Sequence, residues 1–316
     1  MDYRSLRRAT ADSLADASYN PKTLALIHVG VGLVVSLILT VLNYLLDQGL
    51  SDAVGIANID KRAVYNTART VLLLLSACLM PFWEIGFVSA GLRMSRTRDA
   101  RPDNLLDGFG RLGLVMRLFL LQILVGVAVV IVCSQVAGVL YSFTPMASEV
   151  MPELESYMEK AMESGQTMMS EEELMALMPQ LAPMYVFFGV LLVCVGIPVS
   201  YLLRLTRFAI MDDATGAWNA LRVSLRLMVK NLFKMILLDL RFWWYYALRL
   251  LVIAVAYADL LLVALGVELP VSADVLLFAS FGVHMVLQLV VAWLFDSSVQ
   301  TTYSHFYNRA KERCAK

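Results

Sequence analysis

The chain has 316 residues, of which 59% are apolar and only 16% charged, with a mean hydropathy of +0.68. Soluble domains carry about 25% charged residues, so the composition points to a bilayer rather than water as the solvent. Formal net charge is zero, a balance that conceals a strong separation of charge along the chain. Cys78, Cys133 and Cys194 lie inside apolar runs and Cys314 in the tail, with no CxxC pair, so neither a disulfide frame nor a zinc site is indicated.

Residues 1–22 are polar, carry Arg4, Arg7 and Arg8, and place Leu6, Ala9, Leu14 and Ala17 at helical spacing, which predicts a short amphipathic entry helix. The apolar run 23–46 is longer than a signal-peptide core and is expected to remain as a first membrane span, with Pro21 at its entrance. A polar loop leads to a second span over 70–92, with a kink expected at Pro81. The connection 93–117 holds Arg93, Arg96, Arg98, Arg101, Arg111 and Arg117, together with a short helical segment around Leu105. Gly108, Gly110 and Gly113 spell GxGxxG there, but no strand precedes them and a span follows, which argues against a dinucleotide site.

A third span is expected over 114–143 and a fourth over 184–203. Between them the insertion 144–183 carries eight glutamates against the single Lys160, a net charge of −7. Pro152 and Gly165 bracket one amphipathic helix, and Ser170 with Glu173 forms a capping box for a second, so an extracytoplasmic helical hairpin is expected. Eight of the seventeen methionines fall here. They read more simply as adaptable packing than as a soft-metal site.

The stretch 212–234 predicts a basic interfacial helix. Trp218, Leu221, Leu225, Met228 and Leu232 gather on one face, while Arg222, Arg226, Lys230 and Lys234 recur at every fourth position beside it. Such a helix lies in the headgroup layer with its cations on lipid phosphates. The aromatic run Phe242-Trp243-Trp244-Tyr245-Tyr246 opens a fifth span over 242–266, a sixth covers 274–295, and 296–316 is a tail. Six spans put twenty cations on one side and four on the other. By the positive-inside rule both termini are then cytoplasmic. The expected fold is all-α, a polytopic membrane domain of six transmembrane helices in three hairpins. Amphipathic entrances near Leu6, Leu105 and Leu221 suggest three copies of one helix-plus-hairpin unit.

Pro81-Phe82-Trp83-Glu84-Ile85-Gly86, followed by Asn104-Leu105-Leu106-Asp107-Gly108-Phe109, resembles the first half of the bacterial integral-membrane family known as domain of unknown function 975. Phe208-Ala209-Ile210-Met211-Asp212-Asp213, Ala220-Leu221-Arg222-Val223-Ser224 and Tyr303-Ser304-His305-Phe306-Tyr307 resemble its later signatures. The chain departs from the family in having Phe295-Asp296-Ser297-Ser298 where a proline-tyrosine step is usual. The resemblance implies a six-span bacterial membrane protein and brings no active site with it.

Ionisable residues inside spans are the candidate sites, since each costs about 2.5–3.5 kcal/mol at the bilayer centre on insertion scales. Glu84 and Arg249 are expected within reach of each other as a structural ion pair, or as a relay. Asp259 and His284 could reach similar depth in one hairpin, with Gln288 one turn from His284. Asp239, Arg241 and Asp296 read as interfacial, and His28 as a satisfied interface residue. No phosphate loop, HExxH or GxSxG motif occurs, and no cofactor is implied. The expected partners are anionic phospholipid headgroups and a membrane protein, with no nucleic acid. The leading expectation is a non-enzymatic inner-membrane accessory or scaffold module. A small-solute or lipid transporter is the alternative, followed by a lipid-modifying enzyme relying on Asp212 or Asp239.

Overall fold

The computed structural model describes residues 3–51, 59–147, 171–213, 216–258 and 273–315. Among them every regular element is helical: α1 (Tyr3–Ala15), α2 (Pro21–Ser51), α3 (Ile59–Arg96), two 3₁₀ turns (Pro102–Leu106 and Phe109–Arg111), α4 (Leu112–Ser142), α5 (Glu171–Leu203), α6 (Thr206–Asp213), α7 (Ala217–Arg241), α8 (Trp243–Ala256), α9 (Ala273–Val291), a π-helical turn (Ala292–Asp296) and α10 (Ser297–Ala315). Five helical stretches are long and apolar enough to cross a membrane: Pro21–Leu46, Ala63–Arg96, Pro102–Ser142, Leu181–Asp212 and Phe278–Cys314. The expected fifth span, 242–266, is represented by the shorter apolar helix Trp243–Ala256, and most of its remainder, including Asp259, lies outside the described residues.

The chain divides into two compact units, residues 1–118 with 205–316, and residues 119–204. In the second, Cys133, Ala137 and Tyr141 form a buried stripe at four-residue steps along α4, while Leu120, Leu124, Val127 and Ile131 stand exposed. Apolar side chains distributed in this way suit a helix whose other faces meet lipid. The acidic insertion falls largely on residues 148–170, outside the described residues. The helix expected to start at its capping box is not a separate arm: α5 runs unbroken from Glu171 through the fourth apolar run to Leu203. Its composition changes from acidic to apolar without a glycine or loop to end it.

In the first unit α2 packs along α3, α8 packs along α9, and α1 and α10 pair with each other against α3. Asn20 accepts the Lys22 amide at 3.0 Å and Pro21 occupies the first turn of α2, so the loop ends in a capped, proline-primed helix start. At the other end of the hairpin, α3 closes with Arg98 in the left-handed region, φ 61°. A non-glycine residue there costs roughly 1–2 kcal/mol. The carbonyl of Arg98 accepts the Ser18 amide at 2.9 Å and its guanidinium pairs with Asp16, contacts that hold the strained residue in place. Beside it the Ser18 hydroxyl donates to Asp99 at 2.8 Å, and this bond together with Arg101 holds the Asp99 carboxyl below its usual range. A lowered folded-state pKa makes the tether complete above about pH 3.9 and lost as pH falls through the lower folded value. A lower protection of the Ser18 amide, its exchange rate taken relative to the intrinsic rate at the same pH, is the expected result below that pH, and a Ser18→Ala variant should show it already at neutral pH.

Two expectations are corrected. The tail is not peripheral: Thr301, Thr302, Tyr303 and Ser304 are all buried. Consecutive residues lie about 100° apart around a helix, so α10 is enclosed on every side at these four residues. Its neighbours are α1, α2, α3 and α7. Small hydroxyl residues permit the close approach, and a Cβ at Gly91 of α3 would stand 2.8 Å from the Ser304 hydroxyl. Hydropathy does not register such a helix as core.

The second correction concerns the apolar face of α7. Its protein-facing stripe is Ala217, Ala220, Leu221, Ser224, Leu227, Met228, Asn231, Met235 and Leu238. Asn231 satisfies its amide internally on the Leu227 carbonyl at 2.9 Å. Of the expected face, Leu221 and Met228 are buried in this stripe, whereas Trp218 belongs with the exposed Val229, Phe233, Leu237 and Leu240. Ser224 and Asn231, being polar, mask the true stripe from a hydrophobicity pattern. Gly216, with φ 117°, supplies the left-handed residue from which α7 starts.

Candidate functional site

The polar side chains of the first unit gather into separate clusters, each placed by the helix pairings above. The signature segment of α3 fits against the first 3₁₀ turn by reciprocal close approach. A Cβ at Gly86 would lie 1.8 Å from the Leu105 carbonyl oxygen, and one at Gly108 would lie 2.1 Å from that of Phe82. Backbone meets backbone at both points, so only glycine fits. Asp107, between these contacts, accepts from the Ser89 hydroxyl at 2.6 Å and from Arg93 at 3.2 Å. Asn104 accepts the Arg101 amide at 2.7 Å and so caps the turn.

On the neighbouring face of α3, Glu84 stands half-exposed 3.8 Å from the His28 imidazole and 3.7 Å from the Arg207 guanidinium. His28 is buried and stacked on Phe87 and Trp83, with ring centroids 4.3 and 5.6 Å away. The Trp83 indole donates to the His28 carbonyl at 2.7 Å, which fixes α2 to α3 at this level. The ion pair expected between Glu84 and Arg249 is therefore replaced by two other sets of partners.

Arg249 of α8 instead pairs with Asp296 on the π-helical turn and donates to Gln288 of α9. The Tyr245 hydroxyl donates to Asp296 at 3.0 Å and accepts from Arg249 at 3.2 Å, closing the group. Asp296 is 6% exposed. The extra residue of a π-turn re-aims side chains within a helix, and here the turn carries the carboxylate that meets Arg249. His284 lies one turn from Gln288 as expected, but its Nδ1 faces the Val252 carbonyl at 2.8 Å. Its expected partner Asp259 lies outside the described residues.

Asp212, at the end of α6, collects Arg96 at 2.5 Å, Lys311 at 2.7 Å and the Tyr307 hydroxyl at 3.1 Å. Arg96 also donates to Asn308, which in turn donates to Ser95 at 3.0 Å. Asp239 is buried and accepts from Tyr303, whose hydroxyl lies 2.5 Å from that of Tyr246. Ser13 of α1 lies 3.0 Å from the His305 imidazole. Every one of these groups ties α10, or the turn before it, to another helix. Arg222, Arg226, Lys230 and Lys234 all stand exposed on α7, beside the exposed apolar residues Trp218, Val229, Phe233, Leu237 and Leu240.

Reading the sequence missed Asp296, Arg207 and the Tyr246–Tyr303 pair as partners. Arg249 lies seven residues inside the run 242–266 and Asp296 one residue past the run 274–295, so depth along the apolar runs did not pair them. Tyr303 and Arg207 gave no signal either, since their partners come from helices remote in the chain. Among the described residues no group of three or more His, Cys, Asp or Glu could hold a metal ion.

The sequence profile of a family of proteins of unknown function, DUF975, matches residues 5–314. Neither a curated protein nor a solved structure matches the chain.

Proposed function

Because this chain belongs to the DUF975 family, which brings a shared architecture but no activity, we propose that it is a non-enzymatic multi-pass protein of the bacterial inner membrane, an accessory or scaffold module for envelope or transport machinery. In this reading it crosses the bilayer six times as three hairpins. The five long apolar helices supply five crossings, and Trp243–Ala256 with the apolar sequence to Gly266 supplies the sixth. The twenty-to-four asymmetry of cations supports cytoplasmic termini.

One observation carries the proposal: the charged groups of α8 and the π-turn are engaged in helix-to-helix contacts, whereas α7 presents exposed cations beside exposed aromatic and aliphatic side chains. Paired charges rigidify a bundle; an exposed apolar and basic surface suits lipid or a membrane-bound partner. The α7 cations would rest on anionic headgroups at about 1 kcal/mol each. In a variant whose other four tryptophans are replaced by phenylalanine, brominated lipids in anionic vesicles are expected to quench the fluorescence of Trp218. Replacing Arg222, Arg226, Lys230 and Lys234 with glutamate should weaken that quenching severalfold; unchanged quenching would exclude the cations from the contact, and no quenching of the parent protein would remove α7 from the lipid surface.

The accessory reading itself is tested by reconstitution. Purified protein in liposomes is expected to pass protons and small solutes no faster than empty vesicles under an imposed potential, and robust flux would overturn it. A carrier is the second reading, favoured by the half-exposed Glu84 between His28 and Arg207, the one charged residue of the run 70–92 in α3. It requires flux that disappears in Glu84→Gln.

A further inference from the structure

A cleft of about 410 Å³ opens where the last turns of α3 meet the 3₁₀ turns and the end of α6. Arg93, Arg96 and Arg111 line it, with Leu92 and Met211 as apolar wall and the exposed carboxylate of Asp103 on its border. Leu106, another lining residue, is 57% exposed, and Leu112, directly after Arg111, is 56% exposed. The cleft thus lies at the terminus of one apolar helix and the beginning of another, with solvent-facing leucines beside its arginines.

Arg96 is engaged by Asp212 and Asn308, whereas the guanidinium groups of Arg93 and Arg111 are positioned without being used up. Arg111 donates through Nη1 to the carbonyls of Ile210 at 2.9 Å and Met211 at 3.1 Å. Those acceptors carry no net charge, so the cation is fixed in place and remains uncompensated by a carboxylate. Arg93 gives one bond, through Nη2, to Asp107. A guanidinium has five N–H donors. The Nε and Nη2 donors of Arg111, and the Nε and Nη1 donors of Arg93, have no acceptor among the described residues. Planar donors of this kind match the oxygens of a phosphate. A purely anionic ligand would meet Asp103, whereas a ligand with its own cation would use it.

We propose that this cleft binds the headgroup of a phospholipid whose phosphodiester bears a primary ammonium. The phosphate lies on Arg93 and Arg111, the ammonium on Asp103, and the acyl chains pass over Leu106 and Leu112. The inference rests on the membrane reading above and adds to it a specific lipid site, distinct from the diffuse cations of α7. A free phosphate ester shares the same chemistry on the arginines but leaves the leucines bare.

The test uses the full chain purified in detergent, with its thermal midpoint and native mass spectrum read against added lipid. Phosphatidylethanolamine is expected to raise the midpoint and remain bound. Phosphatidylglycerol should bind more weakly, and inorganic phosphate or phosphoethanolamine should have little effect. Arg111→Gln should weaken phosphatidylethanolamine binding about tenfold, the loss expected for one charge-assisted contact. Asp103→Asn should erase the preference over phosphatidylglycerol while both lipids still bind through their phosphodiesters. Arg313→Gln, at an exposed site away from the cleft, serves as the control. Each variant's midpoint without lipid separates misfolding from lost binding, and Arg93→Gln repeats the test should Arg111→Gln not fold. Unaltered lipid binding in folded arginine variants would overturn the site. A response to inorganic phosphate equal to that of lipid would overturn its assignment to a membrane lipid. Neither result bears on liposome flux, so this inference and the accessory reading can fail separately.

Discussion

Gly86→Ala and Gly108→Ala are each expected to remove most folded protein from the membrane fraction, while Gly113→Ala leaves its amount and thermal midpoint nearly unchanged. The first two would drive a Cβ to within 1.8 Å and 2.1 Å of a backbone carbonyl oxygen, whereas nothing lies within 4 Å of a Cβ at Gly113. Overpacking usually costs about 1–3 kcal/mol and more where backbone must move. Against a typical total stability of about 5–15 kcal/mol, a loss at the upper end is severe. The contrast also decides what the GxGxxG spacing is for. A phosphate-binding loop would need all its glycines for the ligand, but here Gly108 is required by Phe82 and Gly113 by nothing. Equal tolerance of alanine at Gly108 and Gly113, measured by yield and midpoint in detergent, would refute the interlock.

Breaking the Arg249–Asp296 pair is the second large effect. Asp296→Ala is expected to cost about 3–5 kcal/mol, because it leaves a guanidinium among apolar helices with Tyr245 and Gln288 as its remaining acceptors among the described residues. Arg249→Met should be similarly harmful by stranding the carboxylate. The double variant Arg249→Met with Asp296→Leu should recover most of the loss, since an apolar pair of similar size restores packing without a buried charge. Reversible unfolding in mixed micelles gives the cycle. Additive losses in the double variant would mean that the two residues do not act as a pair. A carrier that used this pair would instead lose its flux in the double variant despite recovered stability.

Much of the architecture could be read directly from residue order. The runs 23–46, 70–92 and 184–203 fall within α2, α3 and α5, the run 114–143 overruns the end of α4 by one residue, and the run 274–295 ends within the π-turn after α9. Pro21 and the α7 cations could also be read, because proline geometry and a four-residue repeat are local properties. The partners of Glu84 and Arg249 could not. Depth along an apolar run limits which residues can meet, but Glu84 faces His28 and Arg207 while Arg249 faces Asp296, and facing depends on helix rotation. The central position of α10 was hidden for another reason: its threonines, serines and tyrosines count as polar, although Thr302, Tyr303 and Ser304 are satisfied by a neighbouring helix or their own backbone.

Sequence alone therefore determined that this is a helical protein with membrane-length apolar segments, a basic helix and an acidic insertion, since hydrophobic length, charge and helical period are summed along the chain. Tertiary structure alone decided which glycines are indispensable, which charges are paired and where three arginines border a cleft. Those outcomes depend on distances of a few ångströms between helices far apart in the chain, and no local pattern encodes them. The signature segments Pro81–Gly86 and Asn104–Phe109 show the division plainly. Their residues could be recognised as a motif, but only the approach of Gly86 to Leu105 and of Gly108 to Phe82 says what holds the motif together.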